Sequence, residues 1–339
     1  MVPTDVSLLY ADAFREFTGM HGVVASNFAP ICTDAFVRRM QGDEFCSMVE
    51  RAVTQSGDVD LGFRFGATVG GRGLGLLGVA TAAAPALSQS LVNLIRWQPL
   101  TSTLGKISIV RSGNNVRLCL TPRQSMPSAV VEGILAGWVA FGRFLVDEAL
   151  PISAVELAHD SPGREREAES ILGCPVVFGA HENAVVAPAA IFDARPRYAD
   201  AGLHASLSGW LDDCVRVICD NQHRMLMRVA EVMLDGLVRG EASTDRVADQ
   251  LMLTSRTLQR RLAAGGISFS RLRELLRASV AVCRLSTGRD RFMDIAQRLG
   301  FDEQATFSRA VRQWTGRSPR EVSRLFATDY GQLRFAPAR

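Results

Sequence analysis

The residues with the most chemical potential lie in two short segments near the C-terminal end of the chain. In each segment two apolar residues stand four positions apart, Leu258 with Leu262 and Phe307 with Val311, which places them on one face of a helix. The opposite faces are polar and contain no acid; they carry Arg256, Thr257, Gln259, Arg260 and Arg261 in the first segment and Gln304, Thr306, Ser308, Arg309 and Arg312 in the second. Arginine and glutamine can make paired hydrogen bonds with guanine and adenine edges. The two faces therefore predict helices that read DNA bases.

Each candidate reading helix follows a shorter helix of similar pattern. The sequence Val247-Ala248-x-x-Leu251 precedes the first and returns as Ile295-Ala296-x-x-Leu299 before the second. Side-chain oxygens stand where they can cap the helices, at Ser243 or Thr244, at Thr254, and at Asp302 or Glu303. Gly300 is placed to end a helix in the left-handed conformation. The repeat predicts two helix-turn-helix motifs, at about 244–265 and 292–315.

The distribution of charge supports a polyanionic partner for this region alone. Residues 1–238 carry 19 basic and 25 acidic side chains, whereas residues 239–326 carry 17 arginines and 9 acids. A basic block attached to an acidic one is typical of a chain whose basic part meets nucleic acid. A solvated helix face can also carry arginines without any partner. Two copies at matched spacing favour the DNA-binding interpretation.

The basic block resembles the AraC/XylS family of bacterial transcription regulators. The resemblance is carried by "VADQLMLTSRTLQRRLAAGGISFSRLRELLRASVAVCRL" and "MDIAQRLGFDEQATFSRAVRQWTGRSP". It implies an all-helical domain in which a linker helix, about Phe269 to Leu285, holds both motifs about one turn of DNA apart, ~34 Å. By position, it implies base contacts from Arg256, Gln259 and Arg260 in the first motif and from Gln304, Ala305, Ser308 and Arg309 in the second. Ala305 can offer only an apolar contact, such as to a thymine methyl group.

The region from about Met20 to Trp210 is predicted to be an α+β domain. The stretch "KISIVRSGNNVRLCL" alternates apolar residues around a turn, which predicts a hairpin. Residues 83–97 and 128–145 have helical spacing, and "PISAVELAH" and "PVVFGAHENAVVAP" are strand candidates. The segment "GLGLLG" matches Gly-x-Gly-x-x-Gly after a possible strand at 63–69, but the next acid is Glu132, too distant for the ribose contact of a dinucleotide site. We therefore predict that these glycines serve tight packing of a helix and a strand.

The same region is similar to the arabinose-binding type of sensor domain found in one branch of this family, which includes ornithine-utilisation regulators. The resemblance implies a site for a small-molecule effector and does not transfer arabinose as the ligand. Candidate pocket residues are Phe63, Arg64, Trp97 and His159. The alternative, which is the commoner case for such residues, is an ordinary core or surface position.

Residues 203–240 join the two parts and have helical spacing throughout. Leu203, Leu207, Trp210 and Leu211 form a candidate homodimer seam, and the alternative is a helix packed within one chain. The predicted order is a sensor domain at 20–210, a connection at 211–227, the DNA-binding domain at 228–326 and a tail at 327–339.

The remaining sequence features favour a regulator over an enzyme. Seven scattered cysteines and five histidines contain no Cys-x-x-Cys or His-x-x-x-His spacing, so we expect reduced thiols, no metal and no cofactor. No catalytic motif or membrane-spanning stretch is apparent, and we expect a cytoplasmic protein. The leading hypothesis is an effector-controlled transcription regulator, by family habit an activator that also meets RNA polymerase. The alternatives are a DNA-binding protein whose N-terminal domain is an enzyme or senses a protein partner.

Overall fold

A five-stranded sheet and its covering helices form the N-terminal part of the chain in the computed structural model, which describes residues 4–22, 37–70, 74–147, 149–219, 223–288 and 290–332. The elements of this part are β1 (Asp5–Ser7), α1 (Leu8–Met20), β2 (Arg39–Gln41), α2 (Gly42–Ser56), α3 (Leu61–Val69), α4 (Gly75–Ala82), α5 (Leu87–Arg96), β3 (Gly105–Ser112), β4 (Asn115–Pro122), α6 (Ser128–Leu145), β5 (Ala154–Glu156), α7 (Glu165–Leu172), β6 (Val176–Val177) and β7 (Asn183–Pro188). The sheet order is β3-β4-β7-β5-β6, and β1 pairs separately with β2.

The C-terminal part is helical. It consists of α8 (Ala201–Cys219), α9 (His223–Arg239), α10 (Thr244–Gln250), α11 (Ser255–Ala264), α12 (Phe269–Thr287), α13 (Phe292–Arg298), α14 (Gln304–Thr315) and α15 (Pro319–Gln332). The α+β region followed by an all-α region confirms the predicted fold class. Helix α15 continues into the segment predicted as a tail, as far as Gln332.

The predicted hairpin is confirmed in β3 and β4. Its register pairs Ile107 with Leu120 and Ile109 with Leu118, so the alternating apolar residues face one side of the sheet. Gly113 occupies the turn at φ 58°, a left-handed conformation that the tight hairpin turns require. The predicted helix at 128–145 is confirmed as α6. The helix predicted at 83–97 is shorter, because α5 begins at Leu87, after Pro85.

The strand predicted at 63–69 is wrong, because these residues form helix α3. Leu61, Phe65 and Val69 recur every four residues and are buried together, which is a helical period. A Cβ at Gly62 would lie 2.2 Å from the carbonyl oxygen of Ala129 on α6, and one at Gly66 would lie 2.2 Å from that of Gly133. These glycines let the backbones of α3 and α6 touch, which is not the strand-to-helix turn of a dinucleotide site.

Helix α6 is the one helix in the described ranges that is long and apolar enough to cross a membrane by length and composition. It packs on α3 and the sheet, and Leu135, Ala136 and Val139 are buried there. The residues of "GLGLLG" from Gly75 onward begin α4, whose eight residues are all buried; Gly73 lies outside the described residues. The expected close packing at these glycines is therefore between helices and not against a strand.

The candidate dimer seam on α8 is buried within the chain. Leu203 and Leu207 are fully buried, Leu211 is 1% exposed and Trp210 is 8% exposed. Helix α8 lies against α4 of the N-terminal part and against α14. These four residues therefore pack the two parts of one chain together, as in the alternative interpretation, and are not open to a second copy.

Five of the cysteines are free thiols, as expected: Cys46, Cys119, Cys174, Cys214 and Cys219. Cys283 is disulfide-bonded, so the expectation of reduced thiols is wrong for this residue.

Candidate DNA interface

The first helix-turn-helix motif consists of α10 and α11, and side-chain caps define where both helices start. The Ser243 hydroxyl accepts a hydrogen bond from the backbone N–H of Arg246, and the Thr254 hydroxyl accepts one from that of Thr257. Both caps were predicted from the sequence. Leu258 and Leu262 are buried at the motif's core, so the residues between them must face outward.

The outward face of α11 is free to meet a ligand. Arg256, Gln259 and Arg260 are exposed, and none of them has a hydrogen bond or an ion pair within the part of the chain that the structure describes. Thr257 is half-buried, with its hydroxyl 2.9 Å from that of Thr254. The two guanidinium groups are therefore solvated cations that no acid of the described ranges neutralises, which suits phosphates and guanine edges.

The second motif consists of α13 and α14, with Gly300 at φ 69° in the turn, as predicted. Phe301 follows it and is 9% exposed, with its ring 5.7 Å from that of Phe307. The expected side-chain cap is not made: Glu303 stands at the cap position, but its side chain forms no capping hydrogen bond. The first N–H groups of α14 thus lack the acceptor that Thr254 gives to α11.

The outward face of α14 matches that of α11 in character. Gln304, Ala305 and Arg309 are exposed and Ser308 is half-buried. Arg309 donates to the Thr306 hydroxyl at 3.2 Å, which holds the guanidinium along the exposed face. The inward residues Phe307, Val311 and Trp314 are buried, as the four-residue spacing predicted.

Helix α12 is the predicted linker helix, and it ends two residues later than expected, at Thr287. It is tied to the second motif by Arg277. The guanidinium of Arg277 lies over the Phe301 ring, 4.6 Å from its centroid, and donates to the Gly300 carbonyl oxygen at 3.3 Å. Burial, together with nearby Arg273, lowers the pKa of Arg277. A half-buried arginine that contacts both a ring and a turn carbonyl connects the start of the second motif's reading helix to α12.

The two parts of the chain meet at α8. Arg271 on α12 binds the Asp213 carboxylate through Nε at 2.9 Å and Nη2 at 2.7 Å. Trp210 donates its indole N–H to the carbonyl oxygen of Trp314 at 3.1 Å. Arg317, just after α14, binds Asp200 at 2.8 Å. These contacts connect the segment that leads out of the N-terminal sheet to the second reading helix.

Two of the four predicted pocket residues, Phe63 and His159, lie near one buried ion-pair cluster. Glu132 on α6 is fully buried and accepts hydrogen bonds from Arg164 at 2.9 Å and from His159 at 3.0 Å. The Phe63 ring lies 5.7 Å from the Arg164 guanidinium carbon. Burial alone would lower the pKa of Arg164. The hydrogen bonds and negative charges of Glu132 and Asp60 stabilise the protonated guanidinium, so the pKa is raised.

The other two predicted pocket residues have different surroundings. Arg64 pairs with Asp58 at 3.0 Å and with Glu167 at 3.2 Å. Trp97 instead contacts α8, where its indole N–H donates to the Asp212 carboxylate at 2.9 Å. None of the four predicted residues lines either of two neighbouring cavities in the described part of the N-terminal region.

Those two cavities have volumes of about 60 Å³ and 80 Å³. The first lies among α4, α5, α6 and the sheet, and the second lies beside it toward α1 and β3. Leu94, Trp138 and Phe141 line both. Sequence reasoning missed these residues because apolar side chains at helical and strand spacing carry no signal that separates a cavity wall from a filled core.

Comparison with known families identifies both parts of the chain. Residues 31–196 match the family described as the arabinose-binding domain of AraC transcription regulators, N-terminal, and residues 247–325 match a helix-turn-helix domain family. The chain belongs to the AraC family of transcription regulators.

This AraC-family regulator is similar to several bacterial proteins along much of its length. It is 22% identical to the ornithine utilization regulator of Pseudomonas aeruginosa over 323 residues, which cover 93% of this chain and 95% of the relative. It is 28% identical to an HTH-type transcriptional regulator of Mycobacterium bovis over 284 residues, 78% of each chain. The crystal structure of the transcriptional regulator CdpR from P. aeruginosa covers 93% of this chain and 98% of that chain, with 19% identity and a TM-score of 0.47. The relatives are named as regulators of transcription, and none is named as an enzyme.

Proposed function

We propose that this regulator reads operator DNA with both helix-turn-helix motifs, and that a small molecule bound in its N-terminal domain controls the outcome, which is activation of transcription. The observation that carries the DNA proposal is the pair of exposed faces on α11 and α14. Each presents arginine and glutamine side chains and no acid.

In this proposal the two faces divide the reading of the operator. Arg256 and Arg260 pair with guanine edges, and Gln259 pairs with an adenine edge. Thr257, whose hydroxyl is hydrogen-bonded to that of Thr254, contacts the sugar-phosphate backbone of the DNA. On α14, Gln304, Ser308 and Arg309 bond to base edges or phosphates, and Ala305 packs on a thymine methyl group. With the motifs held by α12, their two boxes lie about ten base pairs apart.

Effector control operates through α8 and α12. A ligand that alters how the N-terminal domain holds α8 would change the contacts of Asp213 with Arg271 and of Asp200 with Arg317. A coupling free energy of about 1–3 kcal/mol between ligand and DNA is enough for regulation. The regulator acts in the cytoplasm as a homodimer that meets RNA polymerase, and the dimer surface lies elsewhere than on the buried residues of α8.

Selection of DNA from a random pool by the purified full-length protein at physiological salt tests this function. The expected result is enrichment of a site with two boxes about ten base pairs apart. Enrichment of one box alone would reject base reading by the second motif. Salt-sensitive binding to every sequence would reject sequence-specific reading altogether, because phosphate contacts alone give that behaviour.

A further inference from the structure

One residue that lines the smaller of these two cavities has a buried hydroxyl without a partner among the described residues. Thr81, on α4, lines this cavity and is 1% exposed. Its Oγ1 atom has no hydrogen-bond partner in the part of the chain that the structure describes. The backbone carbonyl of Thr81 is satisfied, because the Ser90 hydroxyl donates to it at 2.9 Å. A buried hydroxyl without a partner is unfavourable, so this group is suited to bind a polar atom of a guest.

The rest of the cavity wall is apolar and uncharged. Apart from Thr81 and Ser90, its side chains are hydrocarbon or aromatic, among them Leu94, Ile109 and Phe141. Among the described residues, none that lines either cavity carries a charge. A zwitterion such as ornithine would lose its hydration here without gaining a counter-ion, and a sugar would bury several unpaired hydroxyls. The wall therefore fits a neutral, mainly apolar molecule with one hydrogen-bonding group.

The second cavity extends the space available to such a molecule. Trp138 is half-buried and stands, with Leu94 and Phe141, between the two cavities. The side chain of Gln98 is already committed at both ends, to Gly105 and to Ile107. An apolar cavity of about 150 Å³ can hold benzene, and a shift of Trp138 would join two spaces of about 60 and 80 Å³. The guest is accordingly the size of one aromatic ring or a short aliphatic chain.

Helix α4 connects this cavity to the DNA-binding region. All its residues are buried, and it packs on α8 and on α12, the helix that carries both motifs. A guest bonded to Thr81 therefore touches a helix that also packs on α12.

We infer that the effector is an uncharged, ring-sized apolar compound with a single hydrogen-bonding group, held in the Trp138-lined cavities with that group on Thr81 Oγ1. This inference rests on the proposed function for its regulatory meaning, whereas the binding site stands on the cavity itself.

The test compares p-cresol with toluene, which lacks only the hydroxyl, for binding to the full-length protein by calorimetry. L-Ornithine and L-arabinose serve as polar comparators. The variant is Thr81→Val, which keeps the shape and removes the hydroxyl. Thr68→Val is the matched control, because the Thr68 hydroxyl donates to a carbonyl within α3 and lines neither cavity.

The wild-type protein and T68V are expected to prefer p-cresol over toluene by about three- to tenfold, the worth of one hydrogen bond. T81V should lose that preference and bind toluene as well as wild type does. Without ligand, T81V should melt about 2–4 °C higher, since an unpaired buried hydroxyl is removed. A protein that binds neither aromatic compound, that keeps the preference in T81V, or that binds ornithine or arabinose instead, overturns the inference.

Operator binding is measured on the same preparations, which separates the two proposals. Normal operator binding without any aromatic ligand binding rejects this site alone. Conversely, p-cresol binding that depends on Thr81 but leaves operator affinity unchanged supports the site and rejects effector control through it.

Discussion

The guanidinium of Arg271 lies on the face of the Trp210 indole, with its central carbon 3.8 Å from the ring centroid, while it also binds Asp213. One arginine of the DNA-binding region thus holds both an aromatic ring and an acid of α8. Because the same indole donates to the Trp314 carbonyl oxygen, this contact supports the base of the second reading helix.

Removal of Arg271 is expected to loosen the junction of the two parts. Arg271→Ala and Asp213→Ala should each destabilise the protein, and the double variant should cost less than the sum, with a coupling of about 1 kcal/mol. Denaturant unfolding of the wild type, the two single variants and the double variant measures this coupling free energy. Arg273→Ala is the control on the same helix, since Arg273 has no ion pair within the described residues. Fully additive effects would show that the two side chains do not interact in solution.

Two glycines on helices should respond oppositely to alanine. Gly66→Ala should destabilise the protein by about 3 kcal/mol, because its Cβ would lie 2.2 Å from the Gly133 carbonyl oxygen, and neither backbone can move away cheaply. Gly209→Ala, in α8 with open space around it, should stabilise by up to about 1 kcal/mol. Melting temperatures of both variants measure this, and a tolerated G66A would contradict the close contact of α3 with α6.

The two reading helices differ in how they are capped. Thr254→Ala should destabilise the DNA-binding region by about 1 kcal/mol, because the hydroxyl accepts from the N–H of Thr257. Glu303→Ala should change the free energy of unfolding by much less, since the Glu303 side chain makes no capping bond. Urea unfolding compares them. Equal losses would mean that Glu303 caps α14 after all.

The thiol of Cys46 should react slowly at mildly alkaline pH. Burial, with the nearby charge of Asp43, raises the pKa of Cys46 to about 11. A thiol with a raised pKa stays protonated in the folded protein while the unfolded chain loses its proton, so this group lowers stability as pH rises from about 9 toward 11. The alkylation rate of Cys46 in the folded protein should rise only as the pH approaches about 11. Mass spectrometry locates the alkylated residue, and the denatured chain serves for comparison. A half-maximal alkylation rate near pH 9 in the folded protein would contradict the raised pKa of Cys46.

The sequence predicted the helix-turn-helix motifs well because their signals are local. Apolar residues four apart, a threonine cap at Thr254 and a glycine at Gly300 each act within one turn of chain. The error at 63–69 had the opposite cause. Whether Gly62 and Gly66 permit a bend or a helix contact depends on α6, which is more than sixty residues away along the chain.

The sensor region shows the same limit for function. Phe63 and His159 are residue types that often contact ligands, but the structure places them beside the buried ion pair of Arg164 with Glu132, the one acid of helix α6. Thr81 carried no signal in the sequence, since a threonine in a helix usually bonds to its own backbone. Only its burial without a partner distinguishes it.

The central claim is that α11 reads bases, and one comparison tests it most directly. Arg256→Ala and Arg260→Ala should each weaken binding to the selected operator by about 1–3 kcal/mol, with little loss on random DNA of equal length, if they contact bases. Arg111→Ala, at an exposed hairpin arginine of the N-terminal domain, is the charge-matched control and should bind like wild type. Fluorescence anisotropy at fixed salt gives all the affinities. Equal weakening on operator and random DNA, or none on either, would contradict base reading by this helix.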